Sequence, residues 1–364
     1  MTTQPSPAAA SSTAPKPLYA KLTRRVAIAT AVMLLGLVPS LVLFAVTKEP
    51  ATTWATGAFI AGITALLVGG VEVAVFTVVI MSIIVPIAIV SGGTPIAGAA
   101  LMALMCLTVG RMSRFGLNRA TLLVPIFMAW MLISPPFWGP QHVVDRTDST
   151  FLTWMMVSFF VGGLLPVVVL PFAIRKVRMA VPKPATPREA WPYAITITLL
   201  ATGATFWMLN APKQDAGAWL IATILVLAQV GDVGTVRRTI QRVVGTLLGM
   251  VVVGVIVVEV DSMVALYCIG FVFAVAALTA KLSPQYWLYM ALVTPSIICF
   301  TASSSSEVAN LGEQRAQDTL IGAALVLLAS AITIEYAHLE ARRGHGPTAE
   351  TPAVLGEPIS PSAP

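Results

Sequence analysis

The chain has 364 residues, 57% of them hydrophobic and only 10% charged, with a formal net charge of +6 and a mean hydropathy of +0.86. A soluble domain carries about 25% charged residues. No water-soluble fold hides this much apolar surface, which excludes a soluble enzyme, a nucleic-acid-binding module and a disordered scaffold.

The first 17 residues, MTTQPSPAAASSTAPKP, are rich in Pro, Ala and Ser and are expected to be disordered. They lack the pattern of a cleaved signal peptide, and the first apolar helix is expected to be retained. A helix crossing the hydrocarbon needs about 20 mostly apolar residues. Twelve runs of this kind lie near 26–46, 54–69, 73–90, 95–110, 120–138, 151–172, 191–209, 217–231, 243–259, 262–280, 286–301 and 317–335. The stretch 54–90 holds one charge, Glu72, and is divided at Gly69-Gly70-Val71-Glu72, because an unbroken helix of that length would reach about 55 Å. The composition therefore predicts an all-α polytopic membrane protein of about twelve transmembrane helices.

Loop charges set its expected orientation. With twelve spans and the N-terminus inside, 18 Lys and Arg residues fall on the cytoplasmic side and four, Lys48, Arg146, Lys213 and Arg315, on the other. That asymmetry is the positive-inside pattern and puts both termini in the cytoplasm. The most basic inner segment, Arg175 to Arg188, falls between spans six and seven. It divides the chain into an N-terminal tail (1–23), a first six-helix unit (24–174), a basic linker (175–190), a second six-helix unit (191–338) and a C-terminal tail (339–364). Trp54 and Trp219 open the second helix of each unit, 165 positions apart, and Pro125 and Pro295 lie in each fifth helix, 170 apart. Six spans per unit give both halves the same orientation, so the repeats are parallel and related by an axis along the membrane normal.

The most specific pattern is in the second half. Arg242-Val-Val-Gly245-Thr246-Leu-Leu-Gly249 opens the ninth span and Arg315-Ala-Gln-Asp318-Thr319-Leu-Ile-Gly322 the twelfth, both of the form R-x-x-(G/D)-T-x-x-G. Spacings of three, four and seven place these residues along one helix face. Gly245 and Gly249 form a small-xxx-small surface for close helix approach, and Thr246 and Thr319 can hydrogen-bond across helices or to their own turn. Each Arg is expected at a membrane edge, as a snorkelling anchor or, through its planar fork, as a contact for a carboxylate, Arg242 inside and Arg315 outside. Asp318 reads either as an acid at its helix N-terminus paired with Arg315, or as a group exchanging a proton or partner during transport.

These octapeptides, with the six-helix unit around them, resemble the fusaric acid resistance / aromatic acid exporter (FUSC-like) family. In that family R-x-x-GT-x-x-G opens the third helix of a unit and R-x-x-DT-x-x-G the sixth. The resemblance covers about Trp191 to Ala337. It implies a transporter of the bacterial inner membrane that exports aromatic carboxylic acids or related organics, is driven by the proton-motive force and works with a periplasmic adaptor protein. It marks Arg242, Gly245, Thr246, Gly249, Arg315, Asp318, Thr319 and Gly322 as substrate or coupling candidates.

Other features are weighed beside it. Tyr286, Trp287 and Tyr289 read as interfacial anchors or as a stacking surface for an aromatic ligand. Pro86, Pro125, Pro166 and Pro295 interrupt backbone hydrogen bonding within spans and are candidate cavity-lining breaks. Asp232, near Arg237 and Arg238, reads as a solvated loop charge. Cys106, Cys268 and Cys299 sit singly in apolar runs, and His142, His338 and His345 are isolated, so no disulfide framework, metal site or Ser-His-Asp triad is expected. There is no P-loop motif, no cofactor is expected, and the chain is read as no enzyme. The expected partners are the lipid bilayer, a small organic anion, the adaptor and a second copy of the chain, with no nucleic acid. Two rival readings are a non-transporting membrane scaffold of an export system and the permease subunit of an ATP-driven transporter.

Overall fold

A computed structural model describes residues 18–139, 145–173, 184–211, 218–228, 235–260, 262–281, 285–301 and 305–342. Most of the two tails, most of the basic linker, Asp232, His142 and His345 lie outside the described residues.

The described chain is helical, with no strand. In order it forms α1 (Leu18–Thr47), a short 3-10 turn (Pro50–Trp54), α2 (Ala55–Ser91), α3 (Pro95–Met112), α4 (Asn118–Thr121), α5 (Leu123–Ile133) and α6 (Ser149–Ala173). The second half forms α7 (Pro187–Asn210), α8 (Ala218–Leu227), α9 (Thr235–Glu259), α10 (Met263–Ala280), α11 (Tyr286–Thr301) and α12 (Ser305–Arg342). Seven helices among the described residues are long and apolar enough to cross a membrane, and four further apolar helices have 10–17 residues. The protein is thus a multi-helix membrane protein in contact with lipid, with apolar side chains such as Val42, Phe76, Leu199 and Val251 facing outward. At both ends helix replaces expected tail: α1 begins at Leu18 and α12 runs on to Arg342.

The long α2 is two arms, not one rod. At Gly70 the backbone leaves the helical region (φ 80°, ψ −175°), a conformation essentially restricted to glycine. The chain reverses there. A methyl on Gly62 would meet the Gly163 carbonyl, while one on Gly163 would meet Val78 at 2.8 Å. Gly62 and Val78 thus flank one point of α6, although a straight helix would hold them about 24 Å apart. Leu66 and Ala74 accordingly share one buried cluster with Val167 and Leu170 of α6. The break falls where the Gly-Gly-Val-Glu sequence put it. By contrast Pro86, Pro166 and Pro295 lie inside helices with helical backbone and Pro125 sits in the first turn of α5, so the large interruption is made by a glycine.

Small residues set the remaining packing. On α6, a methyl on Gly162 would overlap the Ala55 carbonyl, and Gly110 of α3 presses on Ala194 of α7. The two halves also meet through aromatic rings: Trp54 tilts against Trp130 at 5.7 Å, and Trp130 stands edge-on to Trp219 at 4.5 Å. One end of the bundle gathers Ser113, whose carbonyl accepts from the Ala185 N–H at 3.0 Å, with the capping box of Thr186 and Glu189 that starts α7. The other end gathers Glu49, which accepts from the Gly139 N–H at 3.0 Å, and Arg146, which donates to the Ile89 carbonyl at 2.8 Å.

Gly70→Ala is expected to lower stability by about 1–3 kcal/mol, because alanine is strained at that φ. Gly203→Ala, at a helical position with open space around it, should be neutral or slightly stabilising. Thermal unfolding of the two variants in detergent, read by size-exclusion of the surviving monodisperse fraction, separates these outcomes.

Candidate functional site

The site is built where α8, α9, α11 and α12 meet. α8 is unusual. Its ten residues, AWLIATILVL, carry no charge, and nine of them are buried. Along its described length α8 is thus enclosed by protein.

The glycines of the first octapeptide bring α11 against α9. A methyl on Gly245 would overlap the Trp287 carbonyl and crowd Met290, and one on Gly249 would meet Thr294 at 2.8 Å and the Ala291 carbonyl at 2.9 Å. From the second octapeptide, Gly322 lets α12 approach α8, since a methyl there would lie 2.9 Å from the Thr223 side chain. The small-residue faces read from the sequence are therefore the contact faces of these helix pairs.

That packing moves both arginines inward. Arg242 and Arg315 are buried, 6% and 3% exposed, and meet α8 one turn apart, at Thr223 and Trp219 respectively. The expectation that they sit at opposite membrane edges is corrected. Arg242 is well inside α9 and Arg315 well inside α12. These two helices run side by side, with Gly312 against Met250, which brings the arginines together. Arg242 donates through one terminal nitrogen to Thr223 Oγ1 at 3.1 Å and through the other to the Tyr286 hydroxyl at 3.4 Å, with Met290 Sδ at 3.9 Å. The Arg315 guanidinium lies over Trp219, 3.9 Å from the ring centroid, a cation–π contact worth about 2 kcal/mol when desolvated.

The arginines keep donors in reserve. Arg242 Nε, Arg315 Nε and Arg315 Nη1 are buried without a hydrogen-bond partner, as are Asp318 Oδ2 and Thr246 Oγ1. A buried unpaired donor costs about 1–3 kcal/mol, more when charged. Asp318 is also relocated. It lies in the interior of α12, not at its N-terminus, one turn beyond Arg315. Thr319 is buried beside it.

The aromatic residues of α11 divide by face. Trp287 points outward, 36% exposed, as an anchor would. Tyr286 and Tyr289 turn inward, with ring centroids 6.1 Å apart, under Arg238 at 5.4 Å and Lys281 at 5.8 Å respectively. Sequence reading missed Thr223 and the wall formed by Trp130 and Trp219. The one available signal was that 217–231 is apolar and uncharged yet short. Among the described residues no group of His, Cys, Asp and Glu could hold a metal ion. Of the cysteines, Cys106 and Cys299 are buried and Cys268 is exposed on the apolar surface.

Residues 200–329 match the fusaric acid resistance protein-like family. This matched region contains both octapeptides and the whole of the arginine site, and it lies in the second half of the chain, where the resemblance was read. No curated protein and no solved structure matches the chain. A fusaric acid resistance-like region within a bundle of apolar helices is consistent with a role in membrane transport.

Gly249→Val should force α9 and α11 apart and cost about 1–3 kcal/mol, whereas Gly254→Val, at a position with nothing within 4 Å, should leave the detergent melting curve unchanged. Equal losses for both variants would contradict the close approach of α9 to α11.

Proposed function

We propose that this protein is an efflux transporter of the bacterial inner membrane that exports small aromatic or other organic acids, driven by the proton-motive force. The observation that carries this reading is the buried pair Arg242 and Arg315 with three unpartnered N–H-bearing nitrogens. Guanidinium groups pair with carboxylates through two parallel hydrogen bonds. Trp219, Tyr286 and Tyr289 supply ring faces beside that charge, the combination an aromatic carboxylate requires.

In this reading the twelve apolar segments are twelve crossings in two parallel six-helix halves, with both termini cytoplasmic. Alternating access comes from the halves rocking about the Trp130–Trp219 contact. Arg242, Arg315 and Thr223 hold the substrate carboxylate. Gly245, Gly249 and Gly322 set the helix spacing that makes the site, Thr246 and Thr319 line it, and Asp318, one turn from Arg315, is the coupling acid. No bond is made or broken, so the assignment is a carrier and no enzyme. A periplasmic adaptor and a second copy of the chain are its proposed protein partners.

The test is uptake of radiolabelled 4-hydroxybenzoate and fusaric acid into energised inverted membrane vesicles. Wild type should accumulate at least one of them. Arg242→Gln and Arg315→Gln, with equal expression and elution profile, should each lose about 10- to 100-fold in apparent affinity, the worth of one charged hydrogen-bond pair. Undiminished accumulation in both variants would remove the site from the mechanism. Accumulation of neither acid by well-folded protein supplied with its adaptor would end the export reading.

A further inference from the structure

Three helix ends meet beside Arg242: the start of α9, the end of α10 and the start of α11. They bring two cations onto two tyrosine rings. The Arg238 guanidinium lies 5.4 Å from the centre of the Tyr286 ring, Lys281 Nζ lies 5.8 Å from that of Tyr289, and the rings are 6.1 Å apart. At its hydroxyl Tyr286 also accepts from Arg242, at 3.4 Å. Lys281 is exposed and Arg238 is half-buried, whereas Arg242 is buried. Positive charge therefore leads inward from solvent. Arg238 and Arg242 stand one turn apart on a single face of α9, and Tyr286 touches both. Among the described residues no carboxylate pairs with Arg238 or Lys281.

We propose that Arg238 and Lys281, over Tyr286 and Tyr289, form a second anion site, which captures an aromatic carboxylate before it reaches Arg242. This deepens the export reading above and rests on it. A cation over a ring near solvent is held more weakly than one paired with a carboxylate. An arriving organic anion therefore draws both cations off the rings and onto itself. The ring faces they leave are then open to the aromatic part of the same molecule. The contact from Arg242 to the Tyr286 hydroxyl is long for an N–H donor, so the carboxylate readily takes the place of that hydroxyl. It moves inward by one helical turn, from one guanidinium to the next, with no uncharged gap between them. In the proposed orientation this end faces the cytoplasm, and the outer site serves loading.

The experiment measures initial rates of labelled 4-hydroxybenzoate exchange by the purified full chain in neutral phosphatidylcholine liposomes. Ionic strength is varied from about 0.01 M to about 1 M, which shortens the Debye length from about 30 Å to about 3 Å. Wild-type KM should rise about tenfold over that range, as capture by exposed charge is screened. Arg238→Gln combined with Lys281→Gln should show the high KM at every ionic strength, the loss falling on KM rather than on maximal rate. The charge-conserving pair Arg238→Lys with Lys281→Arg should recover both the low KM and its dependence on salt. A double Gln variant that keeps the wild-type KM and salt dependence would overturn the capture site and leave the transporter standing. So would a loss that the charge-conserving pair does not recover. Absence of exchange by wild type would instead strike the export reading itself.

Discussion

Two guanidinium charges buried side by side in an apolar bundle are the constraint on which the rest of this structure turns. Like charges in a low-dielectric interior repel strongly, and each has lost its hydration. The protein offsets this with what surrounds them: a flat indole under Arg315, a threonine and a tyrosine hydroxyl on Arg242, and one carboxylate on the next turn of α12. The compensation stops short of complete, since three guanidinium nitrogens stay unpartnered. An arrangement built for stability alone would have closed that gap with a second acid. One that must receive and release an anion cannot.

Glycine determines where those charges can be. Gly245 and Gly249 bring α11 against α9, Gly322 brings α12 against α8, and Gly62 with Gly162 does the same for α2 and α6. In a membrane, helices gain little from burying apolar side chains against one another, because lipid is as apolar as leucine, so close backbone approach and van der Waals fit decide the packing. The site is therefore a product of helix spacing first and of side-chain chemistry second.

Much of the helical framework was legible in the sequence, because apolar run length is read directly against bilayer thickness. Among the described residues each apolar run overlaps a helix, and the break at Gly70 follows from a Gly-Gly pair beside the only charge in that stretch. The octapeptides were legible as helix faces, and Gly245, Gly249 and Gly322 lie where such faces touch. What escaped was convergence. Arg242 and Arg315 are 73 positions apart on helices that start at opposite ends of the bundle, and periodicity carries no information on how deep one helix sits against another. The role of α8 escaped for a related reason: ten uncharged residues look like a short crossing until their burial on all sides is seen. Asp318 was placed at a helix start because its apolar run begins beside it, whereas α12 starts at Ser305, more than three turns earlier.

The aromatic file from Trp54 through Trp130 and Trp219 to Arg315 joins the half outside the matched region to the charge that would meet substrate. Trp130 of α5 abuts the indole on which Arg315 rests. The first half, which carries neither octapeptide, thus reaches the arginine site through a ring contact.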